Sequence, residues 1–189
     1  MKRAEWSKGV TPKQVVNHPV TYSGGAVSTV VLHHSVTGQS PFLGKVRAIE
    51  RYHITGEYFD IAYNFLVSAS DGFAVEGRGA VTQGGATGAG IDGQSLSVCA
   101  VGNFEADKVP TILVDNLVSL LSKLVVDGHV KPGFILEPHS KYKATACCGK
   151  NLVVLIPEIL RRVAATVAPV SVASSDAQKL AAIREILRS

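Results

Sequence analysis

The stretch STVVLHHS, residues 28 to 35, decides the fold class. Its β-branched and leucine run reads as a buried strand that delivers two histidines, His33 and His34, at its end. Side chains alternate along a strand, so if Val31 and His33 share one face, His34 lies on the other. Downstream, Val46, Ile49 and His53 recur at helical spacing over residues 42 to 53, and Gly56 closes that helix. IAYNFLVS (61 to 68) reads as a second strand, with Ile61, Tyr63, Phe65 and Val67 on one face and Ala62, Asn64 and Leu66 on the other. After the turn Ser70-Asp71-Gly72, FAVE (73 to 76) returns as the partner strand of a hairpin. Residues 77 to 93 are rich in glycine and read as a surface loop.

SLSVCAVGNF (95 to 104) reads as a central strand in which Cys99 is a small buried apolar residue. Pro110-Thr111 opens a helix with Leu113, Leu117, Leu120, Leu121 and Leu124 in one stripe, stopped by Asp127-Gly128. The polar, irregular segment that follows reads as a loop, up to a helix over 151 to 167 in which Pro157 implies a kink or a late start. Strands mixed irregularly with helices imply an α/β fold, a mixed central sheet flanked by helices. Residues 1–167 are expected to form one compact domain. Residues 168–189 are expected to be a linker and an amphipathic helix over 177 to 188, with Leu180, Ile183 and Leu187 aligned.

Composition narrows the functional classes. With 189 residues, 46% hydrophobic and 18% charged, the chain can bury a full core, and disorder is excluded. No apolar run is long enough to span a bilayer, so no stable membrane insertion is expected. MKRAEWSKGV lacks the apolar block of a secretory signal peptide, which predicts synthesis and residence in the cytoplasm. Three cysteines, two of them adjacent at 147 and 148, make a poor disulfide framework and favour metal binding or plain thiols. A formal charge of +4 favours encounter with polyanions such as cell-wall polymers. The basic residues are scattered, with no run interleaved with aromatics, so no nucleic-acid face is expected.

The segment EPHSKYKATACC (137 to 148) places His139 eight residues before Cys147, with Thr145 between them. A catalytic zinc ion takes three protein ligands and leaves a fourth position open, and histidine with cysteine suits it. The segment offers two donors, and His33 or His34 at the mouth of a strand is the source of the third. Cys148 is an alternative thiol. Filling the fourth position with it would make the site structural rather than catalytic.

RAEW (3 to 6), VLHHSVT (31 to 37), RAIERYHITGEYFDIAYNFLVSASDGFAVEGRG (47 to 79), SLSVCAVGNF and PHSKYKATACCG (138 to 149) follow one another in the order of a known family. From residue 3 to about residue 165 the chain resembles zinc-dependent N-acetylmuramoyl-L-alanine amidases of the type shared by phage lysins and peptidoglycan recognition proteins. The resemblance implies the corresponding α/β fold, Zn2+ held by His33, His139 and Cys147, and Tyr63 and Thr145 as catalytic residues. It implies hydrolysis of the amide between N-acetylmuramic acid and L-alanine, with bacterial peptidoglycan as the partner and a monomer as the working form. Within that family, the missing signal peptide, small size and basic charge fit a phage endolysin that waits in the host cytoplasm before its release to the wall. The alternative is a non-catalytic peptidoglycan-binding module. Two departures stand out: Cys148 takes the place of a proline, and Thr87 and Asp92 stand where the family often carries histidine and asparagine near the substrate. Arg78 is a candidate for contact with a peptide carboxylate.

Overall fold

The computed structural model describes residues 1–7, 22, 25–56, 58–88 and 90–168. The chain runs through α1 (Arg3–Trp6), β1 (Val27–His34), α2 (Phe42–Thr55), β2 (Phe65–Val67), β3 (Ala74–Glu76), β4 (Ser95–Ala100), α3 (Thr111–Val126) and β5 (Val130–Pro138). A 3-10 turn (His139–Lys141), α4 (Lys150–Val153) and α5 (Ile156–Val167) complete it. The strands form one sheet in the order β3-β2-β4-β1-β5. All neighbours are parallel except β3, which returns antiparallel to β2. This is the expected mixed sheet flanked by helices. The amphipathic helix expected over 177 to 188 lies outside the described residues. No helix among the described residues is long and apolar enough to cross a membrane.

A parallel sheet needs cover on both faces, and the two apolar clusters supply it. On one face Val30, Leu32, Val98 and Val67 pack under α3 and α5. On the other, Leu66 and Cys99 meet Phe42, Val46 and Ile49 of α2, together with Trp6. The α3 stripe is wider than a single row, because Val114, Val118 and Val125 are buried beside Leu113, Leu117, Leu121 and Leu124. Each fully buried leucine contributes about 2 kcal/mol over its exposed state. Pro157 falls in the first turn of α5, so the late start is the one adopted.

Three expectations are corrected. The strand over 61 to 68 shrinks to Phe65–Val67, because the lead-in leaves the sheet and brings Ala62 and Tyr63 to the cleft described below. The strand over 95 to 104 ends at Ala100. The segment after Asp127-Gly128 is not a loop but begins with β5, which pairs with β1 at the sheet edge. Pro132 and Gly133 disguise it; an edge strand tolerates both, and the register shift opposite Val27/Thr29 absorbs the irregularity.

The glycine-rich stretch over 77 to 93 is also more than a surface loop. Gly77, Arg78, Gly79, Gly84, Thr87 and Asp92 are buried. Asn64, itself fully buried, donates to the carbonyls of Gly79 and Thr82 at 2.8 and 2.7 Å and accepts from the Ser97 amide at 2.8 Å. That side chain ties the stretch to β4. A Cβ on Gly77 would sit 2.3 Å from the Tyr63 carbonyl oxygen, so glycine is what lets the two backbones touch.

Candidate metal centre

Register explains how distant histidines meet. Leu32 of β1 lies opposite Pro138 of β5, so the next residues, His33 and His139, leave the carboxyl ends of neighbouring parallel strands side by side. The carboxyl edge of a parallel sheet is where ligand sites form. The His33 and His139 ring centroids lie 4.5 Å apart. The 3-10 turn folds the chain back, with the Ser140 amide donating to the Cys147 carbonyl at 2.6 Å, and this returns Cys147 to the same spot. One ligand atom from each of His33, His139 and Cys147 lies within 4.8 Å of the others. Among the described residues no fourth His, Cys, Asp or Glu joins this group.

The group fits zinc. Bonds of about 2.1 Å to nitrogen and about 2.3 Å to sulfur at a tetrahedral angle separate the two donors by about 3.6 Å. Cys147 Sγ lies 3.7 Å from His33 Nδ1. His139 Nε2 is buried without a hydrogen-bond partner among the described residues, which is costly unless something else occupies its lone pair. Burial pushes the Cys147 thiol up to about 11, opposed by the His34 amide, which donates to Sγ at 3.3 Å. Burial, followed by the neighbouring His139 and His34, holds His33 well below the usual histidine range, so its ring is neutral and free to ligate.

His34 lies on the opposite face, as strand alternation requires. Its partners across the sheet, Ala100 and then Val67, belong to the α3/α5 side. Its Nδ1 accepts the Phe104 amide at 3.1 Å. Cys148 is fully buried in that same cluster, and all three cysteines are free. Gly149 (φ 94) permits the tight passage there, since a Cβ would stand 2.3 Å from the Phe104 carbonyl carbon.

Tyr63 reaches the centre from the irregular lead-in to β2, with its ring 5.3 Å from His33. β4 lies between β2 and β1, so strand adjacency does not bring the two together. The loop does, held by the Arg78 amide donating to the Tyr63 carbonyl at 3.0 Å. Burial, then Cys99 and Cys147, raises the Tyr63 phenol well above its ordinary range, so at neutral pH it is a donor. Thr145 is exposed, and its Oγ1 accepts the Cys147 amide at 3.3 Å. Arg78 is spent inside: it donates to the carbonyls of Ile61 and Gln83 at 2.6 and 2.9 Å and stacks over Phe59 at 4.3 Å. The expected contact with a peptide carboxylate is thereby lost to a structural role.

Thr87, expected near the substrate, lies against His33. Its Oγ1 lies 3.2 Å from His33 Nε2 and 3.2 Å from Ser97 Oγ, and its amide donates to Asp92 at 2.9 Å. It holds the His33 ring from the Nε2 side. Nothing local in the sequence marks it, because the contact joins residues 33 and 87 only through the fold.

A cavity of about 530 Å³ opens on the triad, lined also by Tyr52, His53, Tyr58 and Val36. A second groove of about 550 Å³ lies between α3 and the β2–β3 hairpin, lined by Phe73, Val75 and Leu120, and none of the three donors reaches it.

An α/β domain with three such donors at the carboxyl edge of its sheet can be compared with known proteins. No family model matches the sequence. A peptidoglycan-recognition protein of Drosophila simulans, of the SB series, is 31% identical over 130 residues, covering 67% of this chain and 70% of that protein. Peptidoglycan-recognition protein SC2 of Drosophila melanogaster is 26% identical over 158 residues, 80% of this chain and 81% of that protein. The structure of peptidoglycan recognition protein-LE in complex with tracheal cytotoxin, a monomeric diaminopimelic acid-type peptidoglycan, superposes with a TM-score of 0.72. It is 29% identical and covers 84% of this chain and 92% of that one. The chain belongs to the peptidoglycan-recognition protein family.

Proposed function

We propose that this protein binds peptidoglycan in the cavity over the triad and hydrolyses the amide between N-acetylmuramic acid and L-alanine, with zinc held by His33, His139 and Cys147. The observation that carries the reading is the convergence of three donor atoms within 4.8 Å, one of them on His139, whose buried Nε2 has no hydrogen-bond partner among the described residues. The complex of the LE relative with a peptidoglycan fragment supports the choice of ligand. When bound, zinc would supply Lewis acidity, lowering the pKa of a water toward about 7 and polarising a carbonyl.

The chain's own residues supply the rest. With Nδ1 ligating, His33 carries its proton on Nε2 and donates it to Thr87, which sets the ring plane. Tyr63 donates a hydrogen bond to the oxyanion that develops on the scissile carbonyl. Thr145 holds the Cys147 amide and with it the thiolate's position. The charge of +4 favours approach to an anionic wall, in keeping with an endolysin that acts once it leaves the host cytoplasm.

The family includes both amidases and members without catalysis. The complete donor set favours the first. The test is release of L-alanine amino termini from purified walls. We expect release that is abolished by a chelator and by Cys147→Ser but retained in Cys148→Ala, whose side chain lies in the core. Intact walls bound by a zinc-loaded protein would move the assignment to a binding module.

A further inference from the structure

The lead-in that carries Tyr63 lies outside the sheet ladder, so side chains must help to hold its backbone in place. The Ile61 amide donates to Asp60 at 2.7 Å, and the Ile61 carbonyl accepts from Arg78 Nε at 2.6 Å. The Ala62 amide, one residue before Tyr63, donates to His53 Nδ1 at 3.0 Å. His53 is also a ring neighbour of Tyr63, with centroids 5.4 Å apart, as is His33 at 5.3 Å. One side chain thus touches both the backbone beside Tyr63 and the Tyr63 ring.

His53 is itself fixed. It stands in the last turn of α2, whose Phe42, Val46 and Ile49 are buried in one cluster with Leu66 and Cys99 of the sheet. It is 7% exposed and packs on Tyr58 at 4.7 Å between centroids. Because Nδ1 accepts an amide hydrogen, the neutral ring carries its own proton on Nε2. Burial first and Arg78 second push its pKa down to about 4, with Asp60 opposing, so Nδ1 is an acceptor at neutral pH. A helix that rests on the sheet therefore reaches, through one imidazole, to the phenol beside the metal centre.

We propose that His53 is a positioning residue, which holds Tyr63 beside the metal centre through the Ala62 amide and through ring contact, and acts on the reaction through Tyr63 rather than on the substrate. Its effect on rate rests on the hydrolase reading above, whereas its hold on the Tyr63 ring is a property of the fold alone. The role requires an acceptor where Nδ1 stands. Asparagine carries its amide oxygen near that position, and glutamine, one methylene longer, carries it toward the position of Nε2.

The test compares His53→Asn, His53→Gln and His53→Leu in the full chain, assayed on soluble N-acetylmuramyl peptides with zinc content measured in each. His53→Gln and His53→Leu are expected to lower kcat about tenfold or more with KM and zinc content retained, since a small misplacement of a catalytic group is enough for such a loss. His53→Asn, which restores the acceptor, should recover kcat to within about threefold of the parent. In a Tyr63→Phe background, where no hydroxyl is left to place, His53→Gln should lower kcat less than about twofold further. A second readout needs no activity. In protein carrying 13C-labelled tyrosine, the Tyr63 ring signals, assigned by their loss in Tyr63→Phe, should stay sharp in His53→Asn and broaden or split in His53→Gln. Equal rate losses with and without the Tyr63 hydroxyl, an asparagine variant as slow as the glutamine one, or sharp Tyr63 signals in His53→Gln overturn the proposal. Should His53→Leu fail to fold, the asparagine and glutamine pair decides. A parent protein that leaves the substrate uncut removes the hydrolase, and the ring signals then decide the positioning by themselves.

Discussion

His33 is gripped on both sides of its ring, with Cys147 Sγ 3.7 Å from Nδ1 and Thr87 Oγ1 3.2 Å from Nε2. Thr87→Val keeps the shape and removes the acceptor, so zinc affinity should fall roughly 10–100-fold, read by competition with a chromophoric chelator. An unchanged affinity would show that Thr87 only fills space. Tyr63→Phe keeps the ring beside His33 and deletes the donor. A loss of about a hundredfold in kcat, near 3 kcal/mol, is expected with zinc content unaltered. Full activity in that variant would remove Tyr63 from the chemistry. His33, His139, Cys147 and Tyr63 could all be singled out beforehand because motifs carry them. The resemblance sets Thr87 near the substrate, but its contact with His33 spans 54 positions and follows only from the fold.

At the scale of elements, α1 is a clamp. Arg3 donates to Glu50 of α2 through Nε and Nη2 at 3.2 and 2.9 Å, and to Asp60 through Nη1 and Nη2 at 2.7 and 2.5 Å. Asp60 in turn accepts the Ile61 amide at 2.7 Å, so the clamp steadies the lead-in that carries Tyr63. Trp6, fully buried, donates to the Glu76 carbonyl at 2.8 Å and closes the other side. Glu50 has no exposed side-chain surface, and helical periodicity alone gave no reason to expect a carboxylate on that face. Arg3→Met leaves this charge buried without its partner. The cost should be about 3 kcal/mol, the low end for such a break because Arg3 keeps 21% of its side chain in water, measured by urea denaturation. A loss below about 0.5 kcal/mol would mean that the clamp is ornamental. β5 escaped detection for a related reason: an edge strand with Pro132 and Gly133 has neither the alternation nor the apolar run by which strands are recognised, and only pairing with β1 defines it.

For the molecule as a whole, folding hides an imidazole that the unfolded chain exposes. His53 is buried, its Nδ1 accepting the Ala62 amide at 3.0 Å, and it packs against Tyr58 and Tyr63. Burial first and Arg78 second push its pKa down to about 4, with Asp60 opposing. Between pH 6.5 and about 4 the unfolded chain therefore binds a proton that the folded chain refuses. The stability from neutral His53 is complete above pH 6.5 and is lost as pH falls through this window, up to about 3 kcal/mol. His53→Asn keeps an acceptor for the Ala62 amide and cannot titrate. Its Tm should fall less than the parent's between about pH 7 and about pH 4.5, and equal slopes would assign the acid sensitivity elsewhere.

The α/β class, the order of most elements and the identity of the three donors were written in local patterns, since apolar periodicity and motif spacing depend on a few neighbouring residues. Alternation along the strand implies that only one of His33 and His34 faces the segment carrying His139, and the family resemblance selects His33. What required the fold was convergence: the register of β1 on β5 that sets His33 beside His139, the burial of Glu50 and Cys148, the diversion of Arg78 into the interior, and the threonine behind the first ligand. Each depends on which surfaces are pressed together at long range, and distance along a chain carries no information about that until the sheet has formed.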